Sequence, residues 1–326
     1  MRTASVGLLV LVAVACADDS RAGVETTTST SVASTTTAPD TVTTAPATEP
    51  ATTTTTEPEI EIPDGILAAM PTQNRVDPAK GQFQVKLINR SGEALTVTGV
   101  QFVWDGYTTP LTERRVLLTG NRRVDVPVAF PGARCAGDGT LATMPDLGGA
   151  VVRLVLEDGS EREAPVYDVD HLARRLYLDD CERQMIERMV AVEWIDLRAG
   201  ELEGRPVTEG TLRLTRGEAT GTVTVLSVSN TINFTFESPA SPPGASIVTL
   251  AADQDVASAP VRFVEGRCDP HAIAESSQPF KFIAQIDLDG ALHPYVVTPP
   301  VEEQAAMRIR VEAGCEQLGK IEFLDR

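Results

Sequence analysis

This sequence has few histidines and lacks the motifs of common catalytic and cofactor sites. These absences limit the kinds of reaction that it could be expected to catalyse. None of the three histidines has a second histidine at metal-ligand spacing; they are His171, His271 and His293. No GxSxG, Walker, HExxH or glycine-rich phosphate motif is present. The sequence therefore predicts no metal site, no cofactor and no catalytic centre, although a serine, a histidine and an aspartate distant in the chain would leave no motif.

Basic residues are also few. The chain has 28 lysines and arginines but 46 aspartates and glutamates, so its formal charge is -18. Beyond residue 62 the imbalance persists, with 38 acidic and 26 basic residues and a net charge of -12. The negative electrostatic field of such a chain repels phosphate groups, so neither nucleic acid nor anionic lipid headgroups are expected as partners. Aromatic residues make up only 5 % of the chain, while valine, threonine, proline and glycine are plentiful, which favours strands and turns.

The N-terminus, MRTASVGLLVLVAVAC, has one arginine and then an apolar run of ten residues from Val6 to Ala15. This run is too short to span a bilayer as a helix, so residues 1–15 are predicted to be a secretory signal peptide. The ending VAVAC resembles the lipobox of bacterial lipoproteins, with Ala13 where leucine is usual. The resemblance implies that Cys16 is lipid-modified and anchors an extracytoplasmic protein to the membrane. An ordinary small-x-small cleavage site, which would leave Cys16 as a free thiol, fits the same residues.

The number of cysteines helps to separate these alternatives. An odd number in an oxidising compartment leaves one thiol unpaired, whereas lipidation of Cys16 leaves four that can pair evenly. Those four are Cys135, Cys181, Cys268 and Cys315. Spacings of 46 and 47 residues favour the pairs Cys135 with Cys181 and Cys268 with Cys315, while the sequence leaves pairing across the two halves open.

Residues 16–62 are predicted to form a disordered stalk behind the anchor. Its central stretch, residues 25–58, has sixteen threonines in 34 residues and no lysine, arginine or aromatic residue. Such a segment cannot bury enough apolar surface to offset the entropy lost on ordering. Threonine- and proline-rich stalks of this kind are typical substrates of O-glycosylation.

The rest of the chain repeats itself. PVAFPGARC at residues 127–135 returns as PVRFVEGRC at 260–268, and SGEALTVTGVQF at 91–102 is echoed by the stretch 216–234. Each half also has alternating apolar runs divided by an Asp-Gly pair, at residues 158–159 and 289–290, which is a strong hairpin signal. Because the repeated motifs are strands, turns and cysteines, we expect the repeat to duplicate a fold rather than an active site.

The sequence therefore predicts an all-β fold of two tandem immunoglobulin-like or fibronectin-like sandwiches, at residues 75–185 and 190–326. One stretch competes with a strand assignment, since residues 170–189 carry apolar side chains at helical spacing and could join the domains as a helix. A strand is favoured for RLYL at 175–178, because the second half has RIRV at the corresponding place, 308–311.

Few residues stand out as contacts for a ligand. Trp104 and Tyr107 flank Asp105-Gly106 and could form an exposed aromatic pair, or Trp104 could be the core tryptophan of a sandwich. Trp194 alternates within a strand and is expected to be packed. His271 lies three residues after Cys268, but a cysteine in a disulfide cannot bind a metal.

Acidic residues cluster around residues 168–180, where Asp168, Asp170, Asp179 and Asp180 could gather oxygen ligands. The cluster lacks the regular spacing of a calcium loop, so a solvated face is favoured, and the DLDG at 287–290 is better explained as a hairpin turn.

Two classes of function remain. One is a non-enzymatic binding or scaffold module tethered to the cell envelope, with an envelope protein or glycan as partner. The alternative is a secreted hydrolase or metal-handling lipoprotein.

Overall fold

The computed structural model describes residues 62–135, 144–242 and 244–319, which lie within one compact unit. Within these residues antiparallel strands dominate, and three α-helices accompany them. The described part of the first half contains eight strands, two short 3-10 helices at Pro78–Lys80 and Leu147–Gly149, and then helix α1. Its elements are β1 (Leu67–Thr72), β2 (Gln82–Asn89), β3 (Leu95–Trp104), β4 (Tyr107–Thr108), β5 (Thr112–Leu118), β6 (Arg123–Ala129), β7 (Val151–Leu156), β8 (Glu161–Pro165) and α1 (Leu172–Met189).

These strands form two sheets that pack face to face. One sheet has the order β1-β2-β6, and the other has the order β4-β3-β7-β8 with β5 also paired to β3. Burial alternates along β7, whose sequence VVRLVL buries every second residue, as expected for a strand with one face on a core. Buried side chains of both sheets, such as Phe83 on β2 and Phe102 on β3, belong to one hydrophobic cluster. The first half is therefore a β-sandwich.

The second half has eight further strands and two helices. Its elements are β9 (Val190–Leu202), β10 (Arg205–Arg216), β11 (Val223–Val228), β12 (Phe234–Glu237), β13 (Val248–Leu250), β14 (Val256–Glu265), α2 (Pro270–Glu275), β15 (Phe282–Leu288), β16 (Ala291–Val297) and α3 (Val301–Gln317). The sheets have the orders β12-β14-β10-β9 and β13-β11-β15-β16. Trp194, Phe263 and Phe282 meet at ring-centroid distances of 5.0 to 5.9 Å in the core between them.

The two halves share one topology. The order β1-β2-β6 recurs as β9-β10-β14, and β3-β7-β8 recurs as β11-β15-β16. In immunoglobulin lettering these are the A-B-E and C-F-G strands of a sandwich. The all-β prediction of two sandwiches is thus confirmed, and both Asp-Gly pairs form the expected hairpin turns, β7 to β8 and β15 to β16. Asp289 and Gly290 both have positive φ, which a two-residue hairpin turn of this type requires.

Both disulfides predicted from the repeat are present. Cys135–Cys181 and Cys268–Cys315 have Cα separations of 5.5 and 5.4 Å. In each half the first cysteine follows the equivalent strand, β6 or β14, and the second lies on the helix that follows the last strand. Each bridge therefore ties the connection between the two sheets to a helix, and the pair indicates an oxidising, extracytoplasmic compartment.

The strand predicted for RLYL is wrong, because residues 175–178 lie in helix α1 and the matching RIRV lies in helix α3. Four alternating residues are too few to define a strand. Over the longer window the buried residues Ala173, Tyr177 and Cys181 recur every four positions, which places them on one helical face. The start of α1 is stabilised by Asp168, whose carboxylate accepts the N–H groups of Ala173 and Arg174 at 3.0 and 3.3 Å.

Helix α1 belongs to both hydrophobic cores. Leu172, Tyr177 and Cys181 pack in the first core, whereas Met185 and Ile186 pack in the second. The domain boundary predicted at residues 185–190 therefore lies inside a packed helix rather than in a linker. The first sandwich also begins before residue 75, because β1 contributes Ala69 to its core.

Candidate functional site

The aromatic pair expected to contact a ligand is buried. Trp104 is 3 % exposed and Tyr107 is fully buried, so the structure corrects that prediction and places both in the first core. The physical reason is the two-residue turn Asp105-Gly106, which lets β4 fold back on β3 with Trp104 paired to Tyr107. The indole N–H of Trp104 donates to the carbonyl of Asp146 at 3.0 Å. Trp194 is buried as predicted.

The histidines and the acidic cluster do not form a common site. His293 pairs with Glu182, His271 lies on α2, and His171 precedes α1. Asp168 accepts N–H groups at the start of α1 and Asp180 is buried, whereas Asp170 and Asp179 are exposed, so the expected solvated face holds for only part of the acidic cluster. Across the described ranges no group of three or more His, Cys, Asp or Glu residues is placed to hold a metal ion. Cys16 and the stalk lie outside the described residues.

A concave surface lies between helix α1 and the β15–β16 hairpin, and we name it the interdomain cleft. Its volume is about 360 Å³. Its apolar lining comprises Phe130, Leu176, Ile283, Pro294, Tyr295 and Val296. Its charged lining comprises Asp179, Asp180, Glu182, Arg183 and Lys281. The cleft thus combines an apolar surface with groups of both charges, the usual composition of a binding site.

Two aromatic rings are placed in the cleft by different sandwiches. Phe130 directly follows β6 of the first sandwich, and its ring packs edge to face on Tyr107 with centroids 5.0 Å apart. Tyr295 lies on β16 of the second sandwich and is half-buried. Burial and the neighbouring Glu187 carboxylate, with which the phenol forms a hydrogen bond, raise the pKa of Tyr295.

Asp180 fixes the helix side of the cleft. Its carboxylate accepts the backbone N–H of Ala133 at 2.7 Å and the side-chain amide of Gln184 at 2.8 Å. Arg183 donates two further bonds to Asp180, at 2.6 and 3.0 Å, and two to Glu187, both at 2.7 Å. Burial alone would raise the pKa of Asp180, but these hydrogen bonds hold it below its ordinary value. Asp180 therefore has a structural role, and it lies next to the Cys135–Cys181 bridge.

Asp179, the preceding residue, remains available to a ligand. Partial burial raises its pKa, the charge of Glu182 adds to the rise, and Arg175 and Lys281 oppose it. Glu182 itself pairs with Nδ1 of His293 at 2.8 Å, which joins α1 to β16 at this side of the molecule. Asp179 and Lys281 thus offer opposite charges across the cleft, from the helix and from the residue before β15.

Sequence reasoning missed this cleft. Its residues come from the end of β6, from α1 and from the β15–β16 hairpin, three parts of the chain that lie more than 40 residues apart and meet only through tertiary packing. The one local signal was Tyr295, an aromatic residue at an alternating position of the second hairpin. No nucleophile motif or metal-ligand spacing marks these segments.

Comparison with known proteins gives little further guidance. No family model matches the chain, and no curated protein does. Among solved structures, the exo-chitosanase CsxA of Amycolatopsis orientalis is similar over 71 % of this chain at 11 % identity, with a TM-score of 0.17. The chain spans only 26 % of that structure.

In the part of the chain that the structure describes, no helix is long and apolar enough to cross a membrane.

Proposed function

We propose that this protein is a lipid-anchored, non-enzymatic binding module of the cell envelope, and that its ligand occupies the interdomain cleft. The observation that carries the proposal is the cleft itself, where Phe130 and Tyr295 from two sandwiches approach the same groove. Concave sites with aromatic walls and a few charged groups are the usual binding sites of proteins. The partner proposed is an envelope protein or glycan with an apolar portion and polar groups that pair with Asp179 and Lys281.

The scaffold around the cleft supports this proposal because it holds both walls in place. The helix wall is fixed by the Cys135–Cys181 bridge and the Asp180 hydrogen bonds. The opposite wall is a regular antiparallel hairpin of seven residue pairs, from Phe282↔Val297 to Leu288↔Ala291. A binding surface that is already ordered loses little entropy when its ligand arrives.

The N-terminal sequence supports the tethering. A lipid-modified Cys16 would be separated from the first strand at Leu67 by the threonine-rich segment. The buried lipid methylenes would each contribute about 0.8 kcal/mol to membrane attachment.

Site-specific photo-crosslinking in intact cells tests the cleft. A photoreactive amino acid at Val296, which lines the cleft and is 40 % exposed, should give a discrete adduct. Leu226 on β11 is the matched control, since it is 38 % exposed on the same sheet but does not line the cleft. The Asp179→Lys variant should reduce the adduct at Val296. Equal adduct patterns at the two positions, or no adduct at either, would contradict the proposed binding site.

A further inference from the structure

A second cleft lies at the C-terminal end of helix α1, beside the Glu182–His293 pair. Glu182 lines the interdomain cleft, whereas His293 lines this one, which has a volume of about 340 Å³. Its lining combines two thioethers, an imidazole and two carboxylates, contributed by Met185, Met189, His293, Glu218 and Asp289. The described residues that line it include no lysine or arginine. We name it the methionine cleft.

The geometry of helix α1 brings the two thioethers together near the imidazole. Met185 and Met189 are four residues apart and therefore share a face of the helix, and Glu182 lies one turn earlier on the same face. Side chains of a helix lean toward its N-terminus, so Met189 leans over the turn that carries Met185. Because Glu182 on this face holds His293, the two sulfur atoms and the imidazole belong to one side of α1.

His293 is oriented as a metal-binding histidine would be. Its Nδ1 lies 2.8 Å from Oε1 of Glu182, and a carboxylate can only accept, so Nδ1 is the donor in this bond. In the neutral ring the lone pair is then on Nε2. Metal-binding histidines commonly donate one ring N–H to a carboxylate and bind the metal through the other nitrogen. The His293 side chain is only 15 % exposed, so packing also restrains the ring.

The loop between β10 and β11 forms a fixed wall of this cleft. The carbonyl of Met189 accepts the N–H groups of Gly217 and Ala219 at 2.9 and 3.2 Å, and the N–H of Glu218 donates to the carbonyl of Arg188 at 2.8 Å. The approach is so close that a Cβ added at Gly217 would collide with the Arg188 carbonyl. The end of α1 and the loop are therefore held together before any ligand binds.

We propose that the methionine cleft binds a soft monovalent cation, Cu(I), through the sulfur atoms of Met185 and Met189 and Nε2 of His293. Thioether sulfur is a soft ligand that selects Cu(I), and imidazole also suits copper, whereas magnesium and calcium prefer oxygen ligands. Glu218 and Asp289 add negative charge around the cleft, which favours a cation over an anion.

The oxidising compartment explains why the soft ligands would be methionines. The four cysteines of the two sandwiches are bridged in pairs, and a bridged cysteine offers no thiolate to a metal. Thioethers do not form disulfides and remain available there. Methionine sulfur does not belong to the His, Cys, Asp and Glu clusters by which metal sites are usually found, and His293 lies more than 100 residues after Met189.

Titration with silver nitrate in chloride-free buffer tests the site, with Ag(I) as a redox-stable substitute for Cu(I). The protein is the full chain with ¹³C-labelled methionine methyl groups and Cys16→Ser, which removes the one cysteine outside the two bridges. The methyl signals of Met185 and Met189 should shift together and saturate at one equivalent, while those of Met70 and Met144 stay unchanged. Equal shifts at all four methionines, or none at Met185 and Met189, would overturn the proposal.

Substitutions then identify the ligands in anaerobic competition titrations with Cu(I). Met189→Leu removes the sulfur at nearly constant volume, and His293→Gln removes Nε2; each should weaken Cu(I) binding by about tenfold or more. Met144→Leu is the matched control, because Met144 is half-buried like Met189 but does not line the cleft, and it should leave the affinity unchanged. Zn(II) should bind more weakly than Cu(I). Equal effects of Met189→Leu and Met144→Leu, or tighter binding of Zn(II), would contradict a thioether site.

Discussion

Two neighbouring aspartates on helix α1 lie in opposite environments. Asp180 is buried, yet hydrogen bonds from Ala133, Arg183 and Gln184 hold its pKa below the ordinary value. Asp179 has a raised pKa, chiefly because partial burial disfavours its charge. In the folded protein the ionised form is therefore stabilised at Asp180 and disfavoured at Asp179. Ionisation of Asp180 stabilises the folded state, whereas ionisation of Asp179 destabilises it.

We expect Asp180→Asn to lower the free energy of unfolding by about 1–3 kcal/mol at pH 7, because a buried charged hydrogen-bond acceptor is lost. Asp179→Asn, the matched control one residue away, should leave stability unchanged or slightly increased. Urea denaturation of both variants measures the difference. A larger loss for Asp179→Asn than for Asp180→Asn would contradict the assignment of Asp180 to the scaffold.

The same pair predicts a pH dependence with a definite sign. Because the folded pKa of Asp180 is depressed, its stabilisation is fully present above the unfolded value of about 3.9 and disappears as the pH falls through the folded pKa. The gap between wild type and Asp180→Asn should therefore narrow when the urea curves are repeated near pH 3.

At the residue scale the sequence predicted the four bridged cysteines and the Asp-Gly turns, because these depend on local chain geometry or on the repeat. It could not decide whether Trp104 is exposed. An aromatic residue beside an Asp-Gly turn looks the same in sequence whether the turn projects into solvent or folds a short strand back over the core, as β4 does here. Burial is set by the partner sheet, which the local sequence does not contain.

At the scale of elements, helices α1 and α3 depart from an all-β chain, and α1 is the one that joins the two sandwiches. Helix α1 was misread because four alternating residues, RLYL, coincide with part of a helical pattern and because the matching RIRV is β-branched. Its structural role follows from its position between the sandwiches. The N-terminal turns complete the first core, and the last two turns complete the second through Met185 and Ile186.

A fragment comparison tests this shared role. Residues 182–326 retain Met185 and Ile186, whereas residues 190–326 lose both; each fragment keeps the Cys268–Cys315 bridge. Because loss of a large buried aliphatic side chain costs about 2–5 kcal/mol, the longer fragment should be more stable by at least that amount. Urea denaturation of the two fragments measures it. Coincident transitions would show that α1 contributes nothing to the second core.

At the scale of the whole molecule, the duplicated architecture was predictable from the sequence, whereas the interdomain cleft was not. The repeat revealed two sandwiches because strands, turns and cysteines recur at matching positions. The interdomain cleft depends on how Phe130 of one half meets Tyr295 of the other, and such long-range placement leaves no periodic signal.

The proposed attachment to the membrane also concerns the whole molecule, and Cys16→Ser tests it. We expect the variant to appear in the soluble fraction, because the proposed lipid would be absent, while both disulfides and the thermal transition stay unchanged. Fractionation of cells that express wild type and variant, followed by immunoblotting, measures the shift. Retention of Cys16→Ser in the membrane fraction would contradict the lipobox interpretation.

The placement of the two bridges also bears on how the chain acquires them during export. Cys135, Cys181, Cys268 and Cys315 are joined first to second and third to fourth, with separations of 46 and 47 residues. A chain that emerges N-terminus first can therefore oxidise each pair in order of arrival, and the first sandwich can close its bridge before the third cysteine reaches the oxidising side. Sequential oxidation then yields the native pairing without reshuffling by a disulfide isomerase.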